Sequence, residues 1–253
     1  MTYFASNLPQ GKHCFFGAEG GVSQGFYRSL NVNQRSSDDP ACLRQNLEII
    51  AGKFGLAPQN LHLLVQGVSN HVEYVKKATQ NVMEADGAVT DRPDVVLCIR
   101  TADCAPVLLA DYQSGVIGAA HCGWRGAFKG VAENTLRLML DKGARLDRIV
   151  AAVGPCIAQD SYEVDRGFCE LFVQENPRFA TFFKPGKTDG FYQFDLENFV
   201  KDRLFAFGVQ NVSVSGLDTY ALEDDYYSFR RFTHQGLIKA PKDFPTEISC
   251  IVL

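Results

Sequence analysis

Residues 94–126, which read DVVLCIRTADCAPVLLADYQSGVIGAAHCGWRG, decide the fold. The stretch contains three short apolar runs, Asp94–Ile99, Pro106–Asp111 and Gly115–Ala120. Their length and their valine and isoleucine content favour strands over helices, and continuous apolarity is typical of strands that are covered on both faces. We therefore predict three successive sheet strands, with reactive side chains at their ends.

The same reasoning extends outward along the chain. Two more apolar runs, Arg148–Gly154 and Asn211–Ser215, are predicted strands. Apolar residues at helical spacing predict three helices, which run from the Asp39-Pro40 cap to Gly55, over Phe128–Lys142, and from Asp195 to Gly208. Strands and helices that mix without a regular alternation predict an α+β (mixed α/β) domain, and one domain over residues 1–253 is favoured because no linker or repeat divides the chain.

Composition excludes several classes of protein. The chain has 253 residues, a formal net charge of −4 and eight cysteines without a CxxC pair. The acidic balance gives no reason to expect nucleic acid as a partner. No apolar stretch approaches the ~18 residues of a membrane span, and no secretory signal precedes the first strand. We expect a cytoplasmic protein with reduced cysteines, no membrane partner, and an oligomeric state that the sequence leaves open.

Reactive groups concentrate in two segments, residues 100–106 and 120–126. Cys104 and His121 follow strands and suit either a Zn²⁺ or copper site or a thiol nucleophile with its base. Arg125 lies in a glycine loop that leads into a helix, which predicts an anion site formed by the guanidinium and the free backbone amides. Asp103 is a candidate for proton transfer.

These segments, TADCAPVLL (101–109) and AAHCGWRG (119–126), resemble the YfiH/DUF152 family, also called the laccase-domain or multicopper polyphenol oxidase family. Similar segments occur in order along nearly the whole chain. They are residues 20–23 (GGVS), 29–31 (SLN), Asn46, 154–157 (GPCI), 162–164 (YEV) and 227–231 (YSFRR).

The resemblance implies a single domain with mixed β-sheets flanked by helices. It also implies an enzyme of the purine nucleoside phosphorylase type. Such an enzyme would take adenosine, inosine, guanosine and methylthioadenosine with phosphate, and would also deaminate adenosine.

In the family a metal, usually zinc, is held by a cysteine and two histidines, and copper is the other metal considered. The first two ligands correspond to Cys104 and His121. The third falls on Val68 instead of a histidine, and His71 is the nearest candidate to replace it. His71 would need a bend in the chain to face the site, because an odd separation along a strand reverses the side chain.

The resemblance also suggests four substrate-binding residues. Ser23 and Asn46 are carried by similarity alone. Arg230 and Arg231 are expected to contact phosphate or a carboxylate.

Three other functions stay open. One is copper-dependent oxidation of phenols, although five histidines are few for several copper sites. Another is hydrolysis by a Cys104 nucleophile, which some relatives' link to peptidoglycan editing suggests. The last is a non-catalytic module that binds a purine or a cell-wall precursor, which Val68 at the third ligand position favours.

Overall fold

The computed structural model of the protein describes residues 1–253, which form fourteen strands and six helices. The strands β1 to β14 are, in chain order, His13–Phe15, Leu61–Val65, Val72–Tyr74, Gln80–Glu84, Gly87–Thr90, Val96–Thr101, Ala105–Asp111, Val116–Cys122, Val150–Val153, Glu163–Asp165, Phe183–Pro185, Phe191–Phe194, Asn211–Val214 and Glu247–Ile251. The helices α1 to α6 are Pro40–Gly52, Trp124–Lys129, Val131–Asp141, Arg166–Glu175, Leu196–Phe207 and Phe229–His234.

The strands form two large mixed sheets and one small sheet. The first has the order β1-β14-β6-β2-β4, and the second has the order β13-β9-β7-β8-β5-β3. In the first sheet β2–β6 is parallel and β14–β6 antiparallel, and in the second β13–β9 is parallel and β7–β8 antiparallel. The third sheet, β10-β12-β11, is antiparallel. The prediction of mixed sheets flanked by helices is therefore confirmed.

The apolar core shows how the layers stack. Along β6, Val96 and Cys98 pack with residues of α1, while Leu97 and Ile99 pack against the six-stranded sheet. The opposite face of that sheet packs against α3, α4 and α5. This alternation is what a strand covered on both faces produces. The result is a helix–sheet–sheet–helix arrangement.

Strand β14 has a central place in the five-stranded sheet. It lies between β1 and β6 and is antiparallel to both. Cys250 pairs with Cys98 across the β14–β6 ladder. Thr246 directly precedes β14, and because Glu247 pairs with Thr101, Thr246 lies close to the end of β6, where the first reactive segment begins.

The predicted strands of the 94–122 region agree with β6, β7 and β8 to within two residues at each end. The first and third predicted helices correspond to α1 and α5, and Asp39 caps α1 by accepting a hydrogen bond from the Ala41 amide. The predicted helix Phe128–Lys142 is wrong in its boundaries. Gly130 has a φ of 84° and divides the segment into α2 and α3.

None of the helices combines the length and the apolar composition that crossing a bilayer requires.

Candidate active site

A cavity of about 570 Å³ opens where β6 and β8 end. The loop after β2, the β6–β7 turn, the start of α2 and the segment between α6 and β14 line it. The lining contains four arginine and lysine residues and no acidic residue. These cations are Arg35, Arg100, Arg125 and Lys242. The cavity therefore favours an anionic ligand.

Cys104 and His121 lie side by side in this cavity. The antiparallel pairing of β7 with β8 places Pro106 opposite His121, so the turn before β7 brings Cys104 to the same end of the sheet. A Cβ added to Gly123 would lie 2.9 Å from Cys104 Sγ and 3.7 Å from His121 Nε2. The thiol and the ring nitrogen thus both border the position of Gly123.

The orientation of His121 is fixed by Asp86. His121 Nδ1 lies 2.8 Å from Asp86 Oδ1, and the carboxylate also accepts hydrogen bonds from the Val68 amide and from the amide and hydroxyl of Ser69. With Nδ1 engaged by a carboxylate, Nε2 is the nitrogen that remains for chemistry in the cavity. One buried carboxylate therefore positions both the imidazole and the loop of residues 67–69.

The contact between His121 and Asp86 stabilises the charged form of each side chain. Burial disfavours the imidazolium, but Cys104 and Asp86 outweigh burial and raise the pKa of His121 to about 10. Burial likewise opposes ionisation of Asp86, yet the hydrogen bonds from His121 and Ser69 lower its pKa to about 2. His121 and Asp86 therefore form an ion pair at neutral pH.

The Gly123→Ala substitution is expected to separate the thiol from the imidazole. Its methyl group would be only 2.9 Å from Cys104 Sγ, so the sulfur has to move. We expect thermal stability to change little, because Cys104 is only half-buried and can rotate, while any reaction that uses the thiol and the imidazole together slows. A Gly52→Ala variant, with nothing within 4 Å of the added atom, is the control. Full activity of Gly123→Ala would contradict this geometry.

The three predicted metal ligands do not come together, because His71 lies away from Cys104 and His121. His71 is exposed, bonds through Nε2 to Glu73 at 2.7 Å, and lines a different pocket. The parity argument fails because residues 66–71 form a loop instead of a strand. Val68, by contrast, does line the cavity with Cys104 and His121.

The donor set therefore does not fit zinc. No group of three or more His, Cys, Asp or Glu side chains in the chain is arranged to hold a metal ion. Catalytic zinc sites normally use three protein ligands, and here Cys104 and His121 are two, with an isopropyl group at the third position. The same shortage applies to copper.

Asp103 does not line the cavity, contrary to its predicted catalytic role. It occupies the turn before β7 with a φ of 85°. Its Oδ1 accepts a hydrogen bond from Thr219 Oγ1 at 2.8 Å, and its Oδ2 accepts one from the Arg230 amide at 2.7 Å. Burial raises the pKa of this carboxyl. The residue holds the C-terminal segment to the turn that carries Cys104.

Ser23 and Asn46 are fully buried and cannot contact a substrate. Ser23 Oγ donates to Asp38 at 2.6 Å, and Asn46 Nδ2 donates to Ser23 Oγ at 3.0 Å and to the Asn31 carbonyl at 2.7 Å. Their substrate-binding assignment is corrected to a structural one. The network joins the N-terminal loops to α1.

Arg230 and Arg231 also lie outside the lining of the cavity. Arg231 is buried, and its guanidinium donates to the carbonyls of Thr219, Tyr220 and Tyr226. Arg230 donates to the Glu163 carbonyl at 2.7 Å and stacks over Tyr162. The hydrogen bonds of the buried Arg231 replace its predicted contact with phosphate, whereas the contact of the half-buried Arg230 stays a prediction.

Arg125 lines the cavity, and its contact with an anion stays a prediction, but the helix after it does not add a terminal anion site. Its exposed guanidinium lies 4.2 Å from the centroid of the Trp124 ring. Helix α2 has only six residues, too few for a substantial dipole at its N-terminus.

The sequence analysis assigned no role to three cations that line the cavity, Arg35, Arg100 and Lys242. It also assigned none to Asp86, the carboxylate that binds His121. Arg100 stands next to the TADC segment, so its position was the available signal. Arg35, Lys242 and Asp86 come from distant loops and carry no local motif.

The fold and the cavity define a protein of the DUF152 type. A crystal structure of a Neisseria meningitidis DUF152 protein is similar with a TM-score of 0.83 and 31% identity, covering 97% of this chain and 95% of that one. The YfiH protein of Bacillus licheniformis shares the fold with a TM-score of 0.86 at 24% identity, covering 95% of this chain and 92% of that one.

The chain belongs to the family described as "Multi-copper polyphenol oxidoreductase laccase", whose profile matches residues 12–238. Among its curated relatives is a purine nucleoside phosphorylase of Deinococcus radiodurans, 38% identical over 87% of this chain and 83% of the relative. Another, from Haemophilus influenzae and with the same name, is 31% identical over 91% of this chain and 93% of the relative.

Proposed function

We propose that this protein catalyses phosphorolysis of purine nucleosides: adenosine, inosine, guanosine and methylthioadenosine. The observation that carries the proposal is the cavity, where His121 and Cys104 lie among four cations and no carboxylate. The names of the curated relatives support the same reaction. Phosphate is the anion that such a cavity would hold.

The reaction balances with residues that the cavity supplies. A phosphate oxygen attacks the sugar carbon C1′, the bond from C1′ to the purine nitrogen breaks, and the base leaves with the electron pair. The base then takes a proton, and phosphate loses one as it becomes the ester. His121 Nε2 can donate to the base and recover a proton from phosphate, because Asp86 fixes the ring through Nδ1. The cations offset the charge of the phosphate.

The decisive assay incubates the protein with inosine and phosphate and measures hypoxanthine and ribose-1-phosphate. His121→Gln is expected to lower kcat by about 10²–10⁴-fold, the usual contribution of a general acid. His71→Gln is the matched control, since that histidine is exposed and outside the cavity. No free base from the wild-type protein, or equal loss in both variants, would refute the proposal.

Adenosine deamination is a separate product to measure, as inosine formed without phosphate. The route considered from the sequence uses water activated by a metal. Because the donor set does not fit zinc, we propose phosphorolysis as the main reaction.

Hydrolysis of an amide or ester is the second candidate. It is favoured by the row Cys104–His121–Asp86, a nucleophile, a base and a group that orients the base. The thiolate would displace the amine or alcohol to form a thioester, which water then cleaves. Alkylation of Cys104 that abolishes such a hydrolysis, with phosphorolysis absent throughout, would establish this function instead.

A further inference from the structure

One wall of the cavity contains a buried charge that has no counterion. Arg100 is 6% exposed and lines the cavity from the end of β6. Its Nη2 donates to the Leu64 carbonyl at 2.7 Å and to Asn81 Oδ1 at 2.9 Å, whereas its Nη1 has no partner. Buried charges in proteins are normally paired, because leaving one unpaired is costly.

The other buried arginines show the usual arrangement. Arg231 Nε lies 3.9 Å from the carboxylate of Glu223, and the partly buried Arg203 pairs with Glu133. Among the charged side chains around Arg100, the one with the largest effect on it is instead another cation, Arg35. Burial first, and then Arg35, lower the pKa of Arg100 to about 10. The positive field at this wall is therefore uncompensated by the protein.

Two hydroxyl groups at the same wall also lack partners. Thr101 and Thr246 are 2% and 8% exposed, both line the cavity, and neither Oγ1 makes a hydrogen bond. Glu247 pairs with Thr101 across the β14–β6 ladder, so Thr246 lies next to Thr101. Buried polar atoms without partners are uncommon and call for a ligand or water.

We propose that Arg100, Thr101 and Thr246 form a subsite for a phosphoryl group, with the exposed Arg35 and Lys242 at its edge. A phosphate presents several acceptor oxygens and a double negative charge, which matches a guanidinium, two hydroxyls and two further cations. The identification of this group as the co-substrate rests on the proposed phosphorolysis. The subsite itself differs from the predicted one, which used Arg125 and the glycine loop.

Binding of inorganic phosphate, followed by calorimetry, tests the subsite without any turnover. Arg35→Gln is expected to weaken binding roughly tenfold, because it removes a charged donor. Thr101→Val, nearly the same shape, is expected to weaken binding about fivefold by removing one hydrogen bond. Arg145→Gln is the matched control, since Arg145 is exposed and pairs only with Asp147 among side chains.

A second readout covers the risk that a variant misfolds. Without phosphate, Thr101→Val should melt no lower than the wild type, because the hydroxyl it removes has no partner. With phosphate, the rise in Tm should be smaller in the variant than in the wild type. Equal rises in the two proteins would overturn the subsite.

The source of the phosphoryl group is distinguished by a parallel titration with inosine 5′-monophosphate. Binding of either compound that weakens in Arg35→Gln and Thr101→Val supports the subsite, and the one that binds identifies the source. Binding of neither, or binding unaffected by both variants, overturns it.

Phosphate binding that depends on Arg35, with no phosphorolysis, would leave the subsite standing and refute the proposed function. Phosphorolysis with an unchanged KM for phosphate in the variants would do the reverse.

Discussion

Val68→His is expected to convert a site with two metal ligands into one that binds zinc stoichiometrically. Val68 lines the cavity with Cys104 and His121, and its amide is held by the same Asp86 carboxylate that orients His121. A histidine there would supply the third protein ligand that catalytic zinc sites normally have. Metal analysis after incubation with zinc and gel filtration should give about one zinc per chain in the variant and far less in the wild type.

The same substitution should also relieve backbone strain. Val68 has a φ of 63°, a region that β-branched residues rarely occupy and that histidine and asparagine tolerate better. Such strain costs about 1–3 kcal/mol, so the free energy of unfolding should rise in metal-free Val68→His. Val68→Asn is the control, because it should gain the stability without the zinc. Stoichiometric zinc in the wild type, or none in Val68→His, would contradict the assignment of position 68.

Asp86→Asn is expected to destabilise the protein by about 3–5 kcal/mol, as breaking one side of a buried ion pair does. The carboxylate is fully buried, pairs with His121 and accepts hydrogen bonds from the loop of residues 67–69. Urea unfolding at pH 7 measures the loss. Asp147→Asn, which changes an exposed ion pair with Arg145, should leave the urea midpoint almost unchanged, because solvent screens the pair. A similarly small effect of Asp86→Asn would show that the pair contributes nothing.

The stability that Asp86 contributes should be lost at acidic pH, and the stability that His121 contributes should be lost at alkaline pH. The pKa of Asp86 is lowered to about 2, so its stabilisation is present above its ordinary value and lost as pH falls through about 2. The pKa of His121 is raised to about 10, so its stabilisation is complete below pH 6.5 and lost as pH rises through 10. The alkaline loss should disappear in His121→Gln.

The sequence predicted the sheet region well because continuous apolar strands and capped helices are local signals. Strands β6 to β8 are examples, since each is a short run bounded by polar or glycine residues. The break at Gly130 was missed because a glycine inside an apolar helical pattern does not reveal the sign of its φ. Strand β14 was missed because its place between β1 and β6 depends on contacts far away in the chain.

Part of the cavity lining was predictable where reactive residues cluster in short segments, although the roles assigned to those residues stay predictions. Cys104, His121 and Arg125 were found in this way, and all three line the cavity. Motif similarity could not separate ligand contacts from buried hydrogen-bond networks, because both require particular polar residues. Ser23 and Asn46 illustrate the second case.

Because β14 lies between β1 and β6, the five-stranded sheet can be completed only after β14 has been synthesised. Cys98 and Cys250 touch across the β6–β14 ladder although 152 residues separate them. Until the ribosome has made residues 247–251, β1 and β6 have no strand between them and expose unpaired edges. Such long-range pairing is slow, so the nascent chain is vulnerable to aggregation during translation. Thr246 enters the cavity wall in the same late step, so a ligand-competent cavity marks a chain whose folding is complete.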